Sequence, residues 1–135
     1  MEQNSFNYTV EQFADLQLLR YRVNGFEELS LPRKQLIYYL SQAALEGRDI
    51  LFDQNGKYNL QIRRLLEAIY LHYEGERSTS EFQALEVYLK RVWFANGIHH
   101  HYACDKFIPE FSAAYLRSLI DSLDSSVLPL EEGES

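Results

Sequence analysis

The chain has 135 residues, 46% of them apolar and 24% charged, with 13 Lys and Arg against 20 Asp and Glu, a net charge of −7. That length suits one domain able to bury about two-thirds of its extended surface, and the composition excludes a wholly disordered chain. The acidic balance excludes a general nucleic-acid binder, no apolar run approaches the roughly 20 residues of a membrane span, and a single cysteine, Cys104, excludes an internal disulfide framework.

The first five residues have neither a basic nor an apolar segment of signal-peptide type. The expected location is cytoplasmic if no signal segment was removed, and periplasmic or envelope-associated if one was. Thr9 followed by Gln12 reads as a capping box, so a short helix is predicted over 10–16. Leu19 to Val23 alternates apolar and basic residues, the period of a strand, and Asn24-Gly25 punctuates it. No second strand is evident to pair with it.

Ser30 is a good N-cap and Pro32 fits a first helical turn. Leu36, Ile37, Leu40, Ala43 and Ala44 then recur at helical spacing, and Gly47 stands where a left-handed C-terminal cap is expected. Residues 49–59 read as a loop with an Asn55-Gly56 turn. A calcium loop centred on Gly56 is excluded, because its first and twelfth ligands would fall on Leu51 and Ile62. A third helix is predicted over 60–73, striped by Ile62, Leu65, Leu66, Ile69, Tyr70 and Tyr73, with Arg63 and Glu67 as a surface pair. A fourth begins at Ser78 with Glu81 completing a capping box; its stripe is Phe82, Leu85, Leu89, Val92 and Trp93, and Asn96-Gly97 stops it. The irregular stretch 97–111 is rich in aromatics and histidine, a composition that packs on something or binds something. A last helix over 113–123 follows Ser112 as N-cap, and the tail, 125–135, is expected to fray. The predicted fold is mainly α: a single helical domain of about four to five helices with one short strand or extended segment near the N-terminus.

No catalytic centre stands out. His99 and His101 can chelate one ion in an extended loop, but a catalytic zinc needs three protein ligands, and neither His72 nor Cys104 completes a known spacing. The histidines therefore read as structural, and no metal is expected on this chain. Cys104 beside His101 lacks any cysteine-protease signature and an orienting third group. There is no phosphate-binding glycine loop, no G-x-S-x-G and no H-E-x-x-H.

Two long strings carry a resemblance. The stretch KQLIYYLSQAALEGRDILFDQNGKYN, from Lys34 to Asn59, and the stretch YLKRVWFANGIHHHY, from Tyr88 to Tyr102, followed by DKFIP to Pro109, resemble the N-terminal region of bacterial dipeptidyl-peptidase III enzymes. The likeness extends from about Phe13 to Leu123. It implies a two-lobed zinc exopeptidase that removes dipeptides from the N-termini of oligopeptides bound between its lobes. In that family zinc is held by H-E-x-x-G-H or a one-residue-longer variant plus a later Glu, and no His-Glu pair occurs in this chain. The resemblance therefore implies an N-terminal piece of a longer enzyme, inactive alone, whose partners are the oligopeptide substrate and the remaining lobe; the zinc belongs to the parent. The family segment Asp-Thr-Lys-Phe-Val-Pro corresponds here to Cys104 through Pro109, which carries a substrate-contacting role onto Phe107. Asn96 and Tyr102 are cleft neighbours by the same resemblance. Relatives outside bacteria have Gly-Asn-Tyr-Lys-type wording where this chain has His99 to Tyr102, so the histidine roles are not carried over. The alternative expectation is a self-contained helical module that binds a peptide or protein through the loop 97–111.

Overall fold

The computed structural model describes residues 6–129. The chain divides into two compact units, 1–46 and 47–135. Among the described residues there are two strands and five α-helices, so the fold is mainly α with a short antiparallel pair near the N-terminus. No helix of the described residues is long and apolar enough to cross a membrane.

The first unit opens with a hairpin, β1 (Thr9–Phe13) and β2 (Leu16–Leu19). This corrects the expected helix over 10–16, and it supplies the strand partner that appeared to be missing. Thr9, Glu11 and Phe13 alternate inward against Val10 and Gln12, the period of a strand, and Phe13 is the buried residue of the pair. Phe13 faces Leu16 across the two-residue loop Ala14-Asp15, where Ala14 adopts φ 48°. The Thr9 hydroxyl that was to cap a helix instead accepts a hydrogen bond from the Gln17 side chain at 2.9 Å. The strand itself lies upstream of its predicted place. β2 ends at Leu19, Arg20 adds one bond from its N–H to the Tyr8 carbonyl at 2.8 Å, and Tyr21 and Val23 belong to no strand.

α1 (Leu31–Glu46) forms where the capping and spacing place it, yet none of its residues is buried, so its apolar stripe does not form a core. Gly47 has φ −76° and ψ 0°, a right-handed conformation, and not the left-handed cap expected of it.

The second unit holds the core. α2 (Arg48–Asn55) occupies the stretch expected to be a loop. Two contacts explain it: Phe52 is fully buried, and Asp49 in the first turn binds Arg63 at 2.7 Å and Arg64 at 2.8 Å on the next helix. α3 (Asn59–His72) presents Leu66, Ala68 and Ile69 to the interior, while Ile62 and Leu65 are only partly buried. Arg63 is not a surface residue as expected. It is buried, lies with its guanidinium carbon 4.7 Å from the Phe52 ring centroid, and is 3.4 Å from Glu67. α4 (Ser80–Ala95) buries Phe82, Leu85, Leu89 and Val92 at spacings of three, four and three, the period of one helical face. Trp93 leaves that stripe for the surface and donates its indole N–H to Glu67 at 2.7 Å.

The start of α4 also differs from the predicted capping box. Thr79, not Ser78, is the N-cap, its hydroxyl accepting the Phe82 N–H. Ser78 is drawn to Glu76, and the Glu81 carboxylate reaches Ser112, accepting its N–H at 3.2 Å and its hydroxyl at 2.8 Å. Ser112 caps α5 (Ala113–Asp121) as predicted, and α5 places Leu119 in the core beside Phe111. The tail begins not by fraying but with a 3-10 turn at Ser125–Val127 capped by Asp124, whose carboxyl is held below the usual range by the Ser126 hydroxyl and N–H. The rest of that expectation, from 130 on, and the reading of the first five residues lie outside the described residues.

Candidate functional site: the histidine and aromatic loop

The stretch 97–111 is a small closed hairpin. Asn96 ends α4 in the left-handed conformation, φ 54° and ψ 39°, which asparagine tolerates better than most residues. Gly97 follows with φ 153°. The chain then runs out and back: the Phe107 N–H donates to the Ile98 carbonyl at 2.8 Å, and the His100 N–H donates to the Asp105 carbonyl at 2.8 Å. His99 and Lys106 form an antiparallel bridge between these bonds. Ala103 closes the tip by donating to the His100 carbonyl at 3.1 Å.

The base of this hairpin is clamped by two asparagines. Asn59, the first residue of α3, is buried, and its Oδ1 accepts the Ile98 N–H at 3.2 Å. Asn55, at the end of α2, donates its side-chain amide to the Asn96 carbonyl at 3.2 Å. Gly56 and Gly97 both face the Asn59 amide. A Cβ on Gly56 would lie 2.9 Å from its Nδ2, and a Cβ on Gly97 would overlap that nitrogen and lie 2.8 Å from its Cγ. Close approach to the buried Asn59 amide thus favours glycine at 97 strongly and at 56 only slightly.

Two clefts flank the hairpin. One, of about 370 Å³, is lined by Asn55, Asn59, Asn96, His99, His101 and Cys104 among others. The second, of about 310 Å³, is lined by Arg91, His100, Asp105, Lys106, Phe107 and Ile108 together with Glu110. His100 borders both. The three residues singled out from the sequence are thus distributed unequally. Asn96 lies in the first cleft and Phe107 in the second, whereas Tyr102 lines neither of these two and stands 88% exposed at the tip.

The rings form a continuous cluster. Phe94 meets His101 edge-on at 4.9 Å, His101 stacks on His100 at 4.4 Å, and His100 lies edge-on to Phe107 at 6.1 Å. The Arg91 guanidinium carbon is 5.4 Å from the centroid of Phe107, a cation–π arrangement. Tyr88, one turn earlier on α4, packs edge-on against Phe111 at 5.7 Å, and burial pushes its phenol up from the ordinary value. These contacts set the ring cluster and the Arg91 guanidinium beside the second cleft, together with the carboxylates of Asp105 and Glu110.

Among the described residues no group of three or more His, Cys, Asp or Glu side chains is arranged to hold a metal. Stacking of His100 on His101 with an interplanar angle of 28° further engages the two rings with each other. Cys104 is free and exposed.

Sequence reasoning missed Asn59, Asn55 and Arg91. The last has a legible signal: it lies three residues after Tyr88 on α4, on the way from the core stripe toward the loop. The asparagines have none, because their role depends on the end of α2, the start of α3 and the end of α4 meeting at one point.

No protein-family model matches the chain, and no curated protein matches its sequence.

Proposed function

We propose that this chain is the N-terminal, substrate-cleft portion of a zinc-dependent exopeptidase of the dipeptidyl-peptidase III type, which releases dipeptides from the N-termini of oligopeptides. The two strings that resemble that family support the reading. The observation that carries it is the setting of Phe107: a half-buried aromatic beside a cleft, its backbone fixed by the Ile98 carbonyl and its ring flanked by Arg91 and His100. A ring held in this way offers a peptide side chain an apolar contact with little ordering cost. Zinc would be held by residues outside this chain, as would the general base, so no chemical step is assigned to residues described above. The remaining lobe of the parent is the other partner in this reading.

The test is to determine the intact mass of the native protein in its source cells, then to assay the purified protein for dipeptide release from oligopeptides. A mass far above that of 135 residues and chelator-sensitive dipeptide release are expected. A native chain ending at Ser135, or an intact protein that trims peptides by one residue or not at all, overturns the proposal. A second reading, a self-contained peptide- or protein-binding module, is favoured by the 88% exposure of Tyr102 and the 79% exposure of Ile108 on an ordered loop. It is distinguished by requiring that the 135-residue chain bind its ligand alone.

A further inference from the structure

The first unit carries a surface that the reading above does not use. β1 and β2 form a two-stranded sheet, so among the described residues one edge of each strand has no neighbour. The two edges are not equivalent. β1 is broken by a register irregularity between Thr9 and Glu11, a device that spoils an edge for further pairing. β2 reads Leu16-Gln17-Leu18-Leu19, regular, uncharged and without proline, which leaves its outer edge open.

Just beyond β2 lies a cationic and aromatic cluster. The guanidinium carbons of Arg20 and Arg22 stand 4.9 Å and 4.8 Å from the centroid of the one Phe6 ring. Arg20 is further fixed by donating its Nε–H to the Asn7 carbonyl at 2.7 Å. Phe6 packs edge-on against Tyr8 at 4.8 Å, and Tyr8 against Tyr21 at 6.4 Å, with Tyr8 and Tyr21 both exposed. Neither arginine has a carboxylate partner among the described residues, although the chain carries a net charge of −7. Two guanidiniums held over one ring, without a counter-charge among the described residues, can receive carboxylates, which they bind with charge-assisted hydrogen bonds.

We propose that the outer edge of β2 is a docking strand for an extended, acidic segment of a partner polypeptide. The segment's backbone continues the ladder along Leu16–Leu19, and its carboxylates meet Arg20 and Arg22. Main-chain bonds supply the affinity and the arginine pair selects for acidic side chains and sets the direction of approach.

The probe is a nine-residue peptide of alternating glutamate and valine, acetylated, amidated and fluorescently labelled, titrated into the full chain by polarisation. Saturable binding is expected, weakened at least tenfold by Arg20→Gln with Arg22→Gln, by replacing every glutamate with lysine, and by N-methylating alternate amides. Raising the salt from 0.1 to 0.5 M weakens it too, because the arginines are exposed. Arg22→Gln alone is the second variant: Arg22 makes no hydrogen bond among the described residues, so loss of binding there is not loss of folding, and circular dichroism checks this. Equal binding of the lysine peptide overturns the charge selection, and equal binding of the methylated peptide overturns strand addition. Absence of binding, or self-association through the hairpin that the peptide does not displace, overturns the proposal as a whole.

Discussion

Replacing Gly97 by alanine tests the clamp at the base of the aromatic loop. The new Cβ would overlap the Asn59 amide, whose Cγ would be 2.8 Å away. Asn59 is only 2% exposed and cannot swing into solvent, so it must give up its bond to the Ile98 N–H. Leaving that donor unpaired costs about 1–3 kcal/mol, and a non-glycine residue held at φ 153° adds about 1–2 kcal/mol of backbone strain. The expected loss is about 2–5 kcal/mol, read from urea unfolding with a probe in the second unit. Gly97→Ala must therefore couple to Asn59→Ala. Once the amide is gone the clash disappears and only the backbone strain is left, so the double variant loses less than the sum of the singles, by roughly 1 kcal/mol or more. Additive losses would show that the Asn59 amide is not what forbids a side chain at 97.

Four further outcomes are expected. Leu89→Ala, at a fully buried position of α4, lowers the stability of the second unit by about 3–4 kcal/mol in the same urea assay. Ser112→Ala removes the α5 cap and a partner of Glu81, a loss of about 1–2 kcal/mol in thermal unfolding. The Arg64 and Arg63 guanidiniums hold the Asp49 carboxyl below its ordinary value of 3.8. A lowered folded-state value stabilises the protein above the ordinary value, so this contribution is complete at neutral pH and fades as pH drops through the lowered value. Stability measured from pH 6 to pH 2 should thus fall more steeply in the wild type than in Asp49→Asn. Finally, on the proposed exopeptidase reading, Phe107→Ala in the native protein reduces kcat/KM about tenfold for peptides with an apolar residue near the N-terminus, the worth of one apolar contact, and leaves folding intact by circular dichroism.

The helices of the second unit are legible because one stripe dominates each. Phe82, Leu85, Leu89 and Val92 follow a single period, and the structure buries all four. Where local signals compete, tertiary contacts decide. Thr9 and Gln12 have the spacing of a capping box, but the same residues alternate inward and outward, and the pairing offered by Leu16–Leu19 makes the strand the better outcome. Residues 48–55 have the polar look of a loop, yet Phe52 and Asp49 supply a core contact and an ion pair that no local pattern reveals. Arg63 shows the same limit from the other side. Its spacing from Glu67 indicates a surface pair, while the position of α2 turns it into a buried cation held by Asp49 over Phe52.

The aromatic loop was conspicuous in the sequence; its order was not. A loop of fifteen residues, 97–111, cannot bury many rings of its own, and a hairpin of this size is marginal in isolation. Here the backbone bonds at Ile98–Phe107 and His100–Asp105 set the shape, and Asn55 and Asn59 anchor its base to the helices. His100 also takes part, its Nδ1 accepting the Tyr102 N–H at 3.2 Å, but the side chains of 101–110 are left to the surface and the clefts. Tyr102 and Ile108 remain outside, and Phe107, His100 and Arg91 pack as a wall beside open space. That division of labour explains how the loop combines a fixed conformation with free aromatic surface. It also divides the residues on which any binding at this site would depend into two classes: the rings beside the clefts, and the asparagines and glycines that hold the base of the loop.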